Sequence, residues 1–169
     1  MLKKLTNFTP EEFESQKHPF TIKRLSPNIG AELHDIDLKK DLSQEEKDHI
    51  YNALLTYKVI FFRNQDIATE EHLRFGEYFG ELEIHPFAPL GANREEHPEV
   101  LRITHNKENK PRENAWHSDV TWRLKPSLGS ILRMIETPPV GGDTLFANME
   151  AAYENLPCLL YTSPSPRDS

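Results

Sequence analysis

Apolar and polar positions divide the chain into short elements of two periods. Ser43-Gln44-Glu45-Glu46 has the hydroxyl-to-carboxylate spacing of a capping box, and Ile50, Ala53, Leu54 and Tyr57 follow at i, i+3, i+4 and i+7. A helix is therefore expected from 43 to about 57. A second one, capped by Thr69, runs through Leu73 and Phe75 to Phe79 and stops at Gly80. Thr9-Pro10-Glu11-Glu12 starts a short helix, with Thr as cap and Pro at the first helical position, and Asn148 caps a final one through Leu156. Period-two alternation marks strands at 20–25 and, after the Pro27-Asn28-Ile29-Gly30 turn, at 30–38. Residues 58–62, 82–85, 100–104, 128–135 and 144–147 are further strand candidates, the last two flanking a Gly141-Gly142 turn. Strands dominate the second half, so α+β with an antiparallel barrel or jelly roll fits best.

Residues 86–98 and 104–114 are polar and aperiodic, and the second leads as a loop into Trp116-His117-Ser118-Asp119. On extended backbone a His and an Asp two apart project to the same side and can reach one metal ion. With a second His such a pair forms the facial triad of non-heme Fe(II), which leaves adjacent positions for a chelating co-substrate and dioxygen. Eight histidines in an acidic chain make one chance His-x-Asp roughly an even-odds event, and a solvated ion pair fits the dipeptide equally well. The surroundings set this pair apart: Val120-Thr121-Trp122, the apolar run 128–135, the Thr137-Pro138-Pro139 break and Gly141-Gly142-Asp143-Thr144 all follow in order.

Composition narrows the classes. The chain has 169 residues, 37% of them hydrophobic, with no apolar run near 18 and no apolar signal region after Met1-Leu2-Lys3-Lys4, so it reads as soluble, cytoplasmic and not membrane-bound. A net charge of −7 without a basic stripe argues against nucleic acid. Cys158, the only cysteine, has no internal disulfide partner. Residues 158–169 change abruptly in character and match a translated transposon-based sequencing adapter, so they read as a non-native tail. Residues 1–157 then read as the N-terminal portion of a single domain that continues in the natural protein.

Phe61-Phe62-Arg63, Phe79-Gly80-Glu81-Leu82, Ile84-His85-Pro86, Trp116-His117-Ser118-Asp119 and Gly142-Asp143-Thr144 together resemble the taurine/2,4-dichlorophenoxyacetate dioxygenase (TauD/TfdA) family. The likeness spans about 20–157 and is strongest to the taurine-type branch. It implies a double-stranded β-helix (jelly roll), truncated after its first strands, and the cofactors Fe(II) and 2-oxoglutarate. His117 and Asp119 correspond to iron ligands, and Thr144 to the residue whose hydroxyl bonds the distal carboxylate of 2-oxoglutarate. His85 corresponds to a histidine contacting the sulfonate of taurine, and Trp122 to an aromatic lining the substrate pocket. The resemblance implies hydroxylation of a small anionic organic sulfonate by dioxygen with release of sulfite. The alternatives are the same chemistry on an aryloxyalkanoate or alkyl sulfate, or a non-catalytic metal-binding jelly roll.

One position departs from the pattern. Glu113 stands where the taurine enzymes carry an Asn that helps bind the amine end of substrate. The family's third ligand, a distant downstream His, and its carboxylate-pairing Arg have no counterpart, because the other seven histidines all precede His117. The chain alone is therefore expected to be inactive, and a homo-oligomer of the full-length protein stays open.

Overall fold

A computed structural model describes residues 8–84, 96–105 and 115–157. Among them the element order is α1 (Pro10–Glu14), β1 (Thr21–Arg24), β2 (Ala31–His34), α2 (Gln44–Tyr57), β3 (Ile60–Phe61), α3 (Thr69–Glu77) and α4 (Met149–Glu154). The described residues within 1–65 and 138–169 form one compact unit and those within 66–137 another. None of their helices is long and apolar enough to cross a membrane.

The first unit is built on a three-stranded sheet in the order β1-β2-β3. β1 and β2 pair antiparallel from Thr21↔His34 to Arg24↔Ala31. Their turn closes through Leu25 N–H donating to the Gly30 carbonyl at 2.9 Å, with Gly30 at φ +87°, where a side chain would be strained. β2 then pairs parallel with β3, Ala31↔Ile60 and Glu32↔Phe61, which requires a crossover, and α2 supplies it. The expected capping box forms: Ser43 Oγ accepts from Glu46 N–H at 3.2 Å and Glu46 Oε2 from Ser43 N–H at 2.7 Å. Ile50, Ala53 and Tyr57 are buried, and Thr56 joins them by donating its hydroxyl to the Asn52 carbonyl at 2.8 Å. With Phe13, Phe20, Ala31, Leu33, Ile36, Leu38 and Leu42 these side chains make the core. β2 is shorter than the 30–38 pattern suggests because Asp35 adopts φ 63° and breaks the ladder.

Three polar clusters tie these elements together. Tyr57 Oη–H donates to Glu14 Oε1 at 2.9 Å, while Arg24 donates to Glu14 Oε1 and to Glu11 Oε1, both at 2.7 Å. The Arg24 guanidinium holds both carboxyls below their usual range, and burial pushes the Tyr57 phenol up. Glu32, on the central strand, accepts from Arg63 at 2.9 Å and Lys23 at 3.3 Å, and Arg63 foremost lowers its pKa. His18 Nε2–H donates to the Phe13 carbonyl at 2.7 Å, which leaves its Nδ1 to accept from His49 Nδ1 at 3.1 Å. Burial, and then His18, depress the His49 pKa. The α4 segment joins this unit through Asn148 Nδ2–H donating to the Asn28 carbonyl at 2.6 Å, the Lys58–Glu150 ion pair and an edge-on Phe61–Phe146 contact.

The second unit has a thinner core, with Ile67 and Phe75 its buried hydrophobic side chains among the described residues. Phe75 packs edge-on against Tyr78 and Phe79. Gly76 lies so close to Leu82 that a Cβ would come 2.8 Å from its Cδ2 methyl. The N-cap of α3 is Ala68, not Thr69 as the pattern suggests: the Glu71 carboxylate accepts from Ala68 N–H at 2.5 Å and takes over the capping.

The described residues are α+β, as expected, yet the candidate strands at 82–84, 100–104, 128–135 and 144–147 are not strands among them. Residues 128–135 keep their apolar side chains exposed, Leu132 at 65% and Ile135 at 72%. A ladder needs a neighbouring strand as well as an apolar face, and patterning reports only the second. Residue 85, most of 86–98 and 106–114 lie outside the described residues, as does the 158–169 tail.

Two outcomes are expected. Leu33→Ala, at a site 1% exposed, should destabilise the fold by about 2–5 kcal/mol in urea denaturation. Acid should act in two stages, because His49, Glu11, Glu14 and Glu32 all have folded pKa values below their unfolded ones. The unfolded chain then binds more protons in each window, so stability falls first as pH drops below about 6.5 and again below about 4.3. Urea midpoints against pH should show both losses, His49→Gln removing the first and Glu14→Gln weakening the second.

Candidate metal centre

His117 and Asp119 lie on irregular backbone of the second unit, and the structure brings their side chains together. Nε2 of His117 and Oδ1 of Asp119 are 3.3 Å apart, both side chains about two-thirds exposed. His117 Nδ1 is 3.0 Å from the Ala115 carbonyl. A carbonyl oxygen only accepts, so Nδ1 carries a proton; a protonated ring then donates Nε2–H to the Asp119 carboxylate, and a neutral ring has its lone pair on Nε2. That neutral tautomer is the one a metal-ligating His adopts when a backbone carbonyl holds its other nitrogen.

The donor set fits a borderline divalent ion in part. A separation of 3.3 Å is less than twice a metal–ligand bond of about 2.0–2.2 Å, so one ion can touch both atoms. No group of three or more metal-ligating side chains occurs among the described residues. Among the described residues the pair therefore offers one nitrogen and one oxygen donor.

Directly after Asp119 the chain reverses. Val120 takes φ 48°, a left-handed conformation that strains a β-branched residue by about 1–3 kcal/mol, and Arg123 N–H closes the turn on the Val120 carbonyl at 3.2 Å. Trp122, within this turn, is 69% exposed, with the Arg123 guanidinium 5.2 Å from its ring centroid. Arg123 also pairs with Glu83, whose other oxygen accepts from Ser127 Oγ at 2.5 Å. Sequence reasoning missed Glu83, Arg123 and Ser127, since a charge in a short apolar segment is usually just solvated.

Thr144 belongs to the first unit, where it is exposed and follows Gly141 at φ 79° and Gly142 at φ 78°. Two successive positive φ values are what a type I′ turn demands, and only glycine adopts them freely. His85 and Glu113 lie outside the described residues. A cavity of about 500 Å³ bordered by His34, Asp37, Lys40 and Arg63 lies in the first unit, and none of the described predicted site residues, His117, Asp119, Trp122 and Thr144, lines it.

Comparison with known proteins places the chain in context. The sequence model of the family described as taurine catabolism dioxygenase TauD, TfdA matches residues 21–160. An alkylsulfatase of Acinetobacter baylyi is 38% identical over 140 residues, covering 82% of this chain and 43% of the relative. An alpha-ketoglutarate-dependent sulfate ester dioxygenase of Pseudomonas putida is 34% identical, covering 88% and 46%. The crystal structure of a taurine dioxygenase from Burkholderia xenovorans aligns with a TM-score of 0.71 at 41% identity, covering 83% and 49%. The chain thus spans less than half the length of these relatives.

If His117 and Asp119 grip one ion, His117→Ala and Asp119→Ala should each raise the Mn(II) concentration for half-saturation about tenfold or more. Electron paramagnetic resonance of the free ion reads this directly. Unchanged titrations would place the ion elsewhere.

Proposed function

Because the chain belongs to the taurine catabolism dioxygenase TauD, TfdA family, we propose that the protein of which it is part is an Fe(II)- and 2-oxoglutarate-dependent dioxygenase acting on a small organic sulfonate. The observation that carries this reading is the His117–Asp119 pair, 3.3 Å apart, with the imidazole turned by the Ala115 carbonyl so that Nε2 faces the carboxylate. Residues 1–157 are then the N-terminal portion of one dioxygenase domain of the double-stranded β-helix type, and residues 158–169 a non-native tail. The third ligand and the Arg that pairs with 2-oxoglutarate belong to the remainder of the domain.

Iron, when bound, supplies the redox chemistry by which dioxygen hydroxylates a substrate carbon while 2-oxoglutarate is decarboxylated to succinate. The chain's own residues hold and orient. His117 and Asp119 offer a nitrogen and an oxygen donor and leave the other positions to the third ligand and the co-substrate. The Thr144 hydroxyl donates to the distal carboxylate of 2-oxoglutarate, a contact that supplements the Arg. His85 donates to an anionic oxygen of substrate, and Trp122 gives the pocket an apolar wall. Hydroxylation of the carbon bearing the sulfonate gives an adduct that collapses to an aldehyde and sulfite.

A second reading, the same chemistry on an alkyl sulfate, is favoured by the names of the Acinetobacter and Pseudomonas relatives and by Glu113 in place of the Asn expected for taurine. Hydroxylation beside the ester oxygen would release sulfate instead of sulfite.

Full-length protein supplied with Fe(II), 2-oxoglutarate and a panel of taurine, alkanesulfonates, alkyl sulfates and aryloxyacetates separates these readings. Succinate and sulfite with a sulfonate are expected. Succinate and sulfate with an alkyl sulfate would favour the second reading, and no succinate with any compound would contradict both. Thr144→Val should raise the KM for 2-oxoglutarate about fivefold, the equivalent of one hydrogen bond, and leave the Mn(II) titration unchanged.

A further inference from the structure

The turn behind the ligand pair is strained and almost unpacked. Ala115, Trp116, His117, Ser118 and Asp119 are exposed, as are Thr121 and Trp122, so little side-chain burial fixes the backbone between them. Val120 nevertheless holds φ 48°. A sparsely populated conformation persists only where its surroundings over-determine it; beside the Arg123 N–H bond to the Val120 carbonyl, described side-chain contacts that reach Arg123 and Ser127 converge on one carboxylate. Glu83 Oε1 pairs with the Arg123 guanidinium, and Oε2 accepts from Ser127 Oγ at 2.5 Å. Both of its oxygens are thus spent on two residues four apart on the far side of the turn. The guanidinium in turn lies over the Trp122 ring at 5.2 Å. Arg123, at 24% exposure, is among the better covered side chains of this stretch, while Glu83 is 43% exposed.

We propose that Glu83 is a positioning residue: by gripping Arg123 and Ser127 it holds the left-handed turn at Val120, and through that turn it sets the direction of Asp119 and the place of Trp122. The inference rests on the reading of His117 and Asp119 as metal ligands. Glu83 touches neither ligand. Its effect passes through the backbone from Arg123 to Val120 and Asp119, and through the guanidinium to the indole. An ordinary surface ion pair would contribute little and would leave both unmoved. What distinguishes Glu83 is that one side chain collects both donors, which makes the pairing a clamp on the C-terminal arm of the turn.

The test uses the 169-residue chain labelled with 5-fluorotryptophan. Its two tryptophans, Trp116 and Trp122, give two fluorine resonances, assigned with Trp116→Phe. Mn(II) bound by His117 and Asp119 broadens both lines, and the dependence on concentration gives an affinity. In Glu83→Ala the Trp122 line should move toward the position of the free amino acid and sharpen, and half-maximal broadening should need about tenfold more Mn(II), the scale of a lost outer contact at a metal site. Glu83→Gln, which keeps an acceptor and loses the charge, should fall between. The charge-swapped chain, Glu83→Arg with Arg123→Glu, should regain most of the Trp122 shift. An unchanged Trp122 line and titration in Glu83→Ala overturn the clamp, as does a swap no better than Glu83→Ala. Failure of Mn(II) to broaden either line in the unsubstituted chain contradicts the ligand reading instead, and is told apart because no variant is then needed to see it.

Discussion

A backbone carbonyl cannot donate a hydrogen bond, and the chemistry of this chain turns on that constraint. The Ala115 oxygen, 3.0 Å from His117 Nδ1, keeps a proton on that nitrogen, so Nε2, 3.3 Å from Asp119 Oδ1, is the atom that pairs with the carboxylate when protonated and offers a lone pair when neutral. Turned the other way, the same imidazole would present an N–H to a would-be cation. The two donors converge with no strand ladder beneath them, which places the burden of alignment on local hydrogen bonds and on the turn at Val120.

The two compact units meet their polar demands in different ways. In the first, a buried apolar core is tied at its edges by carboxylates held by arginines, Glu14 and Glu11 by Arg24 and Glu32 by Arg63. Glu32 on the central strand is almost covered, and three basic partners, Lys23, His34 and Arg63, compensate its burial. The second unit has little core and relies on side-chain-to-backbone and ion-pair contacts. His72 Nε2–H donating to the Ile131 carbonyl at 3.1 Å and the Glu83 contacts are of this kind. Such a loop is easily re-aimed by one substitution.

Legibility followed from how local each signal is. The helix at 44–57 was readable because the Ser43 box and the Ile50, Ala53, Tyr57 face are contained in one stretch of sequence. The cap of α3 was misplaced by one residue because Glu71 caps a backbone N–H whatever the identity of residue 68. Strands at 128–135 and 144–147 were not realised among the described residues: their patterns call for a cover and a partner, and pairing is a non-local property. At the site, the closeness of His117 and Asp119 was legible from their spacing and the family motif, although the backbone that brings them together is irregular and not the extended strand the spacing suggests. Glu83 was not, since its partners lie forty and forty-four residues away in sequence.

Family membership rests on residues 21–160, and the relatives run to roughly twice the matched length. The proposed metal site depends on the orientation of the His117 ring, which decides whether Nε2 can meet a cation. Long-range proton–nitrogen NMR of the chain during titration with diamagnetic Zn(II) observes it directly. The account predicts that His117 Nε2 shifts on binding while Nδ1 stays protonated. Coordination through Nδ1, or no shift at His117 when Zn(II) binds, would contradict it.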